Sequence, residues 1–390
     1  MTADRLERVD AERIVRDTLE LVRIPSVTGN TRRMADRYEQ MLREVGCKVD
    51  RYEFVPDNPT LVAVYGDGED GPAILFNGHM DVVPLGHAEA EVKDGRVYGR
   101  GTCDMKGSLA CMLETLRVLN ESGERLPGRL LVVANSLHES PGGRGEDLIA
   151  LTERVPLKAD AVVVMEGATT ECTVAQLGSA TFEIEIERDG EPCHQLHAPD
   201  GTPHPISIAG DVVALLDRWN AELASRYIED IGYASYFVGS IHSGQFYNQL
   251  PNKATLVGVR RYDPLETFED VERATRSGLD ELAARHGVTI QLDMQKVRDG
   301  YRIDKTSEAV AALRRAAVAV RGVEFPSVGK KLVTDAGILA NALGVPALCH
   351  GPDQRTAHGD VEYVEIRELE MTAQVYVRFI REFMNAKAAR

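Results

Sequence analysis

Four apolar segments, residues 73–76, 130–134, 161–164 and 346–349, run without a charged or amide side chain between flanking turn residues. At four or five residues each is shorter than an ordinary helix, and unbroken apolarity is what a strand needs when both faces of its sheet are covered. Helical periodicity surrounds them, over residues 11–23, 33–45 (stopped by Gly46), 106–122, 307–320 and 366–384. The pattern predicts an α/β fold: a helix-covered, mixed and largely parallel sheet.

From Thr181 the pattern changes, because Phe182, Ile184 and Ile186 alternate with Glu183, Glu185 and Glu187. Alternation is the mark of a sheet with one wet face. A helix over 206–223, strands over 235–241 and 254–261, a helix over 268–286 and a strand over 288–294 follow. That order, β-α-β-β-α-β, makes a compact two-layer α+β unit. A chain of 390 residues exceeds the ~100–200 residues of a usual domain. We therefore expect residues 178–296 to be inserted into a domain formed by 1–177 and 297–390, through short crossings near Gly178 and Val297.

Lys and Arg number 45 against 61 Asp and Glu, a net charge of −16. Such a surface repels nucleic acid and anionic lipid, so neither is an expected partner. No apolar run reaches the ~18 residues of a membrane span, and the charged, periodic start does not resemble a secretory signal. Six scattered cysteines without a Cys-x-x-Cys pair read as reduced thiols, giving a cytoplasmic expectation.

The chemistry lies just beyond the apolar segments. Asn77-Gly78-His79-Met80-Asp81 follows the first, at the carboxyl end where an α/β sheet presents side chains to a cleft. A lone histidine there is as readily a packing residue, but Asp81 can hold the ring nitrogen that a metal leaves free. Asp104, in Gly99-Arg100-Gly101-Thr102-Cys103-Asp104-Met105-Lys106-Gly107, can serve as an ordinary helix N-cap. The glycines also let backbone pack around a carboxylate that points inward. His138 and Glu139 follow the second segment, Glu166 the third, and His358 lies beyond the fourth. Histidines and carboxylates together suit a hard to borderline divalent ion, most often Zn²⁺. No Gly-x-Ser-x-Gly elbow, dinucleotide fingerprint or phosphate loop competes with metal-dependent hydrolysis.

Gly78 to Pro84, the Asp94-Gly95 and Tyr98 to Gly107 stretch, and Ala357-His358 with Glu362-Tyr363-Val364 resemble the motifs of a family of zinc amidohydrolases. That family includes acetylornithine deacetylase, succinyl-diaminopimelate desuccinylase, aminoacylase and the glutamate carboxypeptidases. The resemblance spans nearly the whole chain. It implies that His79, Asp104 and Glu166 hold one metal, that Asp104 and His358 serve a second, and that Asp81 orients His79. Glu139 matches the general base, which takes a proton from the attacking water and passes it to the leaving amine. The inserted unit resembles a lid and dimerisation domain, where His194, after Gly190, would reach the partner's site. Asn248 and Arg260 match residues that bind a substrate carboxylate. The implied protein is a homodimer with one or two Zn ions per subunit, Co or Mn being alternatives. It would cleave an N-acyl amino acid or small peptide.

The chain departs from that pattern in two places. Where Asp-Glu-Glu is usual it has His138-Glu139-Ser140, so Ser140 replaces a ligand of the second metal. A one-residue insertion would instead make His138 the base and Glu139 the ligand. On an extended strand neighbours face opposite ways, so His138, the possible replacement ligand, is expected to face away if Glu139 faces the metals. The first site would then be tight and the second weak. The stretch 84–92 is also short, and Gln176-Leu177-Gly178 lacks a basic residue for a second substrate carboxylate. A different reading, a silent relative that binds a carboxylate ligand, rests on Ser140 alone.

Overall fold

Each uninterrupted apolar segment is a strand: Ala73–His79, Arg129–Asn135, Ala161–Val164 and Ala347–Cys349. The structure, a computed structural model, describes residues 8–68, 70–139 and 142–388. These strands belong to a six-stranded sheet ordered Lys48–Val55, Asn58–Tyr65, Arg129–Asn135, Ala73–His79, Ala161–Val164, Ala347–Cys349. The last four run parallel, and the first two form an antiparallel edge.

Successive side chains of a strand point to opposite faces, and here both faces are covered. Ile74 and Phe76 join a core built with helices Ala11–Val22, Arg32–Glu44, Lys106–Ser122 and Ile366–Ala388. Leu75 and Val162 are equally buried on the other face, where helices Glu146–Arg154 and Ala336–Leu343 pack. In the last helix Leu369, Ala373, Tyr376, Ile380 and Phe383 are buried at three- and four-residue spacing. Phe76 meets Tyr376 edge-on at 5.3 Å, and each such buried side chain contributes about 1.5–3 kcal/mol.

Register decides where the strands deliver their polar neighbours. His79 lies opposite Asn135, Asn77 opposite Val164, and Val164 opposite Cys349. The carboxyl ends of the parallel strands are thus flush, and the segments beginning at Met80, Ser136, Met165 and His350 leave from one edge of the sheet.

The chain divides into two compact units, one holding the residues up to Val174, Arg302–Val328 and those from Thr334, the other Ala175–Tyr301 and Gly329–Val333. The second unit carries an antiparallel sheet ordered Ser235–Ser243, Lys253–Tyr262, Gly178–Glu187, Thr289–Arg298. With helices Pro205–Leu223 and Phe268–His286 its chain order is β-α-β-β-α-β. Phe182, Ile184 and Ile186 are buried in its core. On the edge strand Phe237 and Ile241 are 65% and 48% exposed. No cysteine is paired; Cys193 is half-buried and the other five are buried. Among the described residues no helix is long and apolar enough to cross a membrane.

Candidate metal centre

His79 ends the strand Ala73–His79, next to Gly78. A Cβ at Gly78 would lie 2.8 Å from Met105 Cε and 2.9 Å from Leu109 Cδ2, so the absence of a side chain lets Met105 and Leu109 pack closely against the strand end. The His79 ring then donates from Nδ1 to the Asp81 carbonyl oxygen at 3.0 Å, while its Nε2 sits 3.2 Å from Asp104 Oδ1. The Asp81 carboxylate is farther from Nδ1, at 3.4 Å. It accepts instead from the backbone N–H groups of His138 (3.1 Å) and Glu139 (2.9 Å) and from Thr28 Oγ1 (2.7 Å). Asp81 thereby fixes the next strand's outgoing loop as well as the histidine.

Asp104 is not a helix cap. The helix starts after Met105 with no side-chain capping bond, and the Asp104 carboxylate faces His79, His358 Nε2 at 3.2 Å and Gln354 Nε2 at 3.1 Å. Burial pushes its carboxyl up, but hydrogen bonds from His358 and His79 outweigh burial and hold it well below the usual range. Glu362, fully buried, shapes this loop: its Oε1 accepts from Gly101 N (3.0 Å), Cys103 N (3.1 Å) and Asp104 N (3.3 Å), and its Oε2 pairs with Arg100 at 2.8 Å. Arg100 also donates to the Gly359 carbonyl at 2.7 Å, joining the Asp104 loop to the His358 loop. His358 has a φ of 61°, a left-handed backbone uncommon outside glycine.

His138 and Glu139 both turn toward the cluster, contrary to the alternation expected of them. The regular strand stops at Asn135, and beyond it the backbone bends to bring two N–H groups onto Asp81, so strand alternation no longer applies. Glu139 Oε1 lies 3.0 Å from His358 Nε2. The His138 ring stacks on His79, centroids 4.2 Å apart and planes 5° from parallel. Its Nδ1 is 3.0 Å from Asp335 Oδ1 and its Nε2 3.9 Å from Glu166 Oε1. Ser140 lies outside the described residues.

Ligand atoms of His79, Asp104 and Glu139, and likewise of His79, His138 and Glu166, fall within 4.8 Å of one another. Glu166 is pushed up to about 7, first by burial and also by Asp104 and Asp335, although His138 and His79 pull it down. Its Oε2 is buried without a hydrogen-bond partner. An orphaned carboxylate oxygen among converging carboxylates and imidazoles is what a divalent cation would satisfy. Hydrogen bonds to Asp104 and Glu139 raise His358 to about 10, so a cation binding there displaces a proton from this imidazole. The donor set fits Zn²⁺ and similar ions.

In the second unit the structure brings His194 and Asn248 together, with Asn248 Nδ2 3.1 Å from His194 Nε2. Arg260 is buried there. Its guanidinium stacks 4.6 Å above the Tyr236 ring and pairs with Glu266 at 3.5 Å. A cleft of about 600 Å³ runs along the short 84–92 stretch, lined by Val82, Val83, Leu85 and His87 among others.

Asp335, Gln354 and the role of Glu362 escape a reading of the sequence. Asp335 precedes a short helix and looks like a cap, yet it makes no capping bond. Gln354 is 250 residues from Asp104 in a segment with no periodic signal. Glu362 stands in a stretch that the sequence does single out, but nothing there tells that its carboxylate binds backbone.

Residues 75–382 match the description Peptidase family M20/M25/M40. A curated relative from Halalkalibacterium halodurans, N-formyl-4-amino-5-aminomethyl-2-methylpyrimidine deformylase, is 27% identical over 95% of this chain and 94% of its own length. Succinyl-diaminopimelate desuccinylase from Methylobacterium radiotolerans is 28% identical over 97% and 98%. Among solved structures, aminopeptidase PepT from Bacillus cereus superposes with a TM-score of 0.81 at 21% identity, covering 96% of this chain and 99% of that one. The YXEP protein of Bacillus subtilis, described as a dinuclear metal binding peptidase, gives 0.71 at 16% identity, covering 97% and 99%.

Proposed function

The chain belongs to peptidase family M20/M25/M40, metal-dependent hydrolases of amide bonds, and from that premise we propose that it cleaves an N-acyl amino acid or small peptide with Zn²⁺ as its ion. The observation that carries this reading is a pair of ligand groups sharing His79, one with Asp104 and Glu139, to which His358 is bonded, the other with His138 and Glu166, whose Oε2 is unpartnered. His79, Asp104 and Glu166 would hold one ion, and Asp104 and His358 would hold a second. A bound divalent cation supplies Lewis-acid polarisation of the amide carbonyl and makes a water easier to deprotonate. Between them His138 and Glu139 supply a further ligand and the group that takes that water's proton; the family resemblance gives the second task to Glu139. Asp81 orients His79 through its carbonyl oxygen and anchors the loop bearing the pair.

We assign His194 and Asn248 to the substrate's oxygens, with His194 acting across a homodimer. Their mutual contact supports a shared polar site. Arg260 reaches a substrate carboxylate only by giving up Tyr236 and Glu266, so its part in recognition is the smaller one. The unpaired apolar edge at Phe237 and Ile241 suits a second copy of this chain. Phe237→Asp should shift sedimentation from dimer to monomer and lower turnover with it; a monomeric parent would refute the dimer.

The deciding experiment is a screen of zinc-loaded protein over N-acetyl, N-formyl, N-succinyl and N-carbamoyl amino acids and dipeptides. Hydrolysis abolished by a chelator and restored by Zn²⁺ is the expected result. Zinc-loaded protein that hydrolyses none of them would defeat the proposal.

A further inference from the structure

The carboxylate that shapes the Asp104 loop is itself held from outside. Glu362 Oε1 accepts from the backbone of Gly101, Cys103 and Asp104, so where that loop stands depends on where residue 362 stands. Glu362 directly precedes the strand Tyr363–Glu365, which pairs with Arg96–Tyr98, and its carbonyl accepts from Gly99 N at 3.1 Å. Its own N–H goes to a side chain, donating to His87 Nε2 at 2.8 Å. An N–H aimed at Nε2 needs a lone pair there, which leaves the ring hydrogen on Nδ1. The Ala88 carbonyl lies 2.9 Å from Nδ1 to accept it.

A second tie runs beside the first. Besides pairing with Glu362 Oε2 and donating to the Gly359 carbonyl, Arg100 donates through Nε to the Leu85 carbonyl at 3.3 Å. Leu85 and half-buried His87 both belong to the short stretch 84–92 along the 600 Å³ cleft. That stretch supplies none of the grouped ligands, yet it grips the residue that places Asp104 and the arginine that joins the Asp104 loop to the His358 loop. Groups that hold a ligand in place tune a metal site almost as strongly as the ligands do. Glu362 is fully buried, and a buried N–H deprived of its acceptor is costly. Without the imidazole, residue 362 would shift to find another acceptor and draw its carboxylate away from the three N–H groups of the Asp104 loop. On the strength of the proposed metal-dependent reading, we infer that His87 is a positioning residue of the metal centre. By accepting from the Glu362 backbone it sets the Asp104 loop, and through that loop the affinity for every ion that Asp104 holds.

The test compares the full-length parent with His87→Gln, His87→Leu and His87→Asn. Glutamine carries its Oε1 at the same bond distance from Cβ as the histidine Nε2 and keeps the acceptor. Leucine removes it, and asparagine, one methylene shorter, draws it out of reach of Glu362 N. Zinc affinity is read by calorimetric titration, and turnover on the best substrate of the acyl and dipeptide screen is read at limiting and at saturating Zn²⁺. His87→Leu and His87→Asn should bind zinc about 10–100-fold more weakly than the parent, and His87→Gln should stay within about threefold. At limiting zinc the two weak binders should turn over slowly, and saturating zinc should recover most of their kcat at parental KM. Parental zinc affinity in His87→Asn or His87→Leu overturns the inference, even in a variant that unfolds more readily, because the imidazole would then serve stability alone. A His87→Gln protein as weak as the other two overturns it as well, since the acceptor would not be what matters. Should His87→Leu fail to fold, His87→Asn against His87→Gln decides the same question. A parent that binds no zinc defeats the metal-dependent reading and this inference together. A parent that binds zinc and hydrolyses nothing defeats the proposed activity alone, and the titrations still decide the role of His87.

Discussion

The six-stranded sheet of the first unit and the four-stranded sheet of the second use their surfaces in opposite ways. In the first, both faces are covered by helices and the side chains of Ala73–His79 are buried throughout, so along the central parallel strands the accessible part is the edge where the strands end. Every candidate ligand collects there. In the second, Glu183 and Glu187 face water on one side while Phe182, Ile184 and Ile186 are buried on the other, and an apolar edge strand is left open. A sheet sealed on both faces concentrates polar groups at its ends, where they must satisfy one another or a ligand; a half-wet sheet spreads them over a face where water satisfies each one separately.

Substitutions in the two regions should therefore differ in kind. The largest effect is expected from Asp104→Ala, which removes the carboxylate that His79 and His358 share. Turnover should fall on the order of 10³-fold or more, zinc titration calorimetry should show both sites weakened, and circular dichroism should be unchanged. Ile184→Ala empties a buried position of the second sheet and should cost about 2–5 kcal/mol of stability in denaturant titration. Its zinc count should remain that of the parent; a lost ion would mean that the second sheet's core supports the centre.

Acid should act on the sealed side. Burial, aided by Arg321, holds the fully enclosed His350 imidazole down at about 3. A depressed histidine gives stability that is fully present above its unfolded value near 6.5 and lost as pH falls toward 3, because the unfolded chain takes up a proton the folded one refuses. Over that window the parent should lose about 1.4 kcal/mol per pH unit more than His350→Phe, read from unfolding midpoints at several pH values. Parallel acid limbs for the two proteins would contradict this. The smallest effect is expected from Glu185→Gln on the wet face, where the ion pair with Lys253 is screened by solvent and contributes little; stability and activity should both stay near parental.

The same contrast explains what could be read from the sequence. Periodicity located the buried strands, the alternating strand at Phe182 and the long helices, because burial on two faces, one face or one stripe leaves distinct residue patterns. It missed Lys48–Val55, where Asp50, Arg51 and Glu53 interrupt the pattern, Asn58–Tyr65, although residues 61–65 form an unbroken apolar run of the kind that located the others, and the short helices Glu146–Arg154 and Ala336–Leu343. His79, Glu139, Glu166 and His358 stood out as polar residues beyond apolar runs and Asp104 as a carboxylate in a glycine-rich turn; the structure groups His79 with Asp104 and Glu139, and with His138 and Glu166. The inward turn of His138 was not legible because it depends on Asp81 taking two backbone N–H groups 57 and 58 residues away. Asp335 was hidden for the same reason: its partner Asn135 is 200 residues distant, and no local spacing encodes that meeting.

The burial of five cysteines, with only Cys193 partly open, has a practical side. A maleimide dye at limiting concentration should attach to one position without any engineered background, and that position is the immediate neighbour of His194 on a short strand paired with Gln249–Leu250. The native chain thus carries its own handle for fluorescence: a single label that would test, through quenching or anisotropy, whether the His194–Asn248 corner meets a ligand or another subunit as proposed.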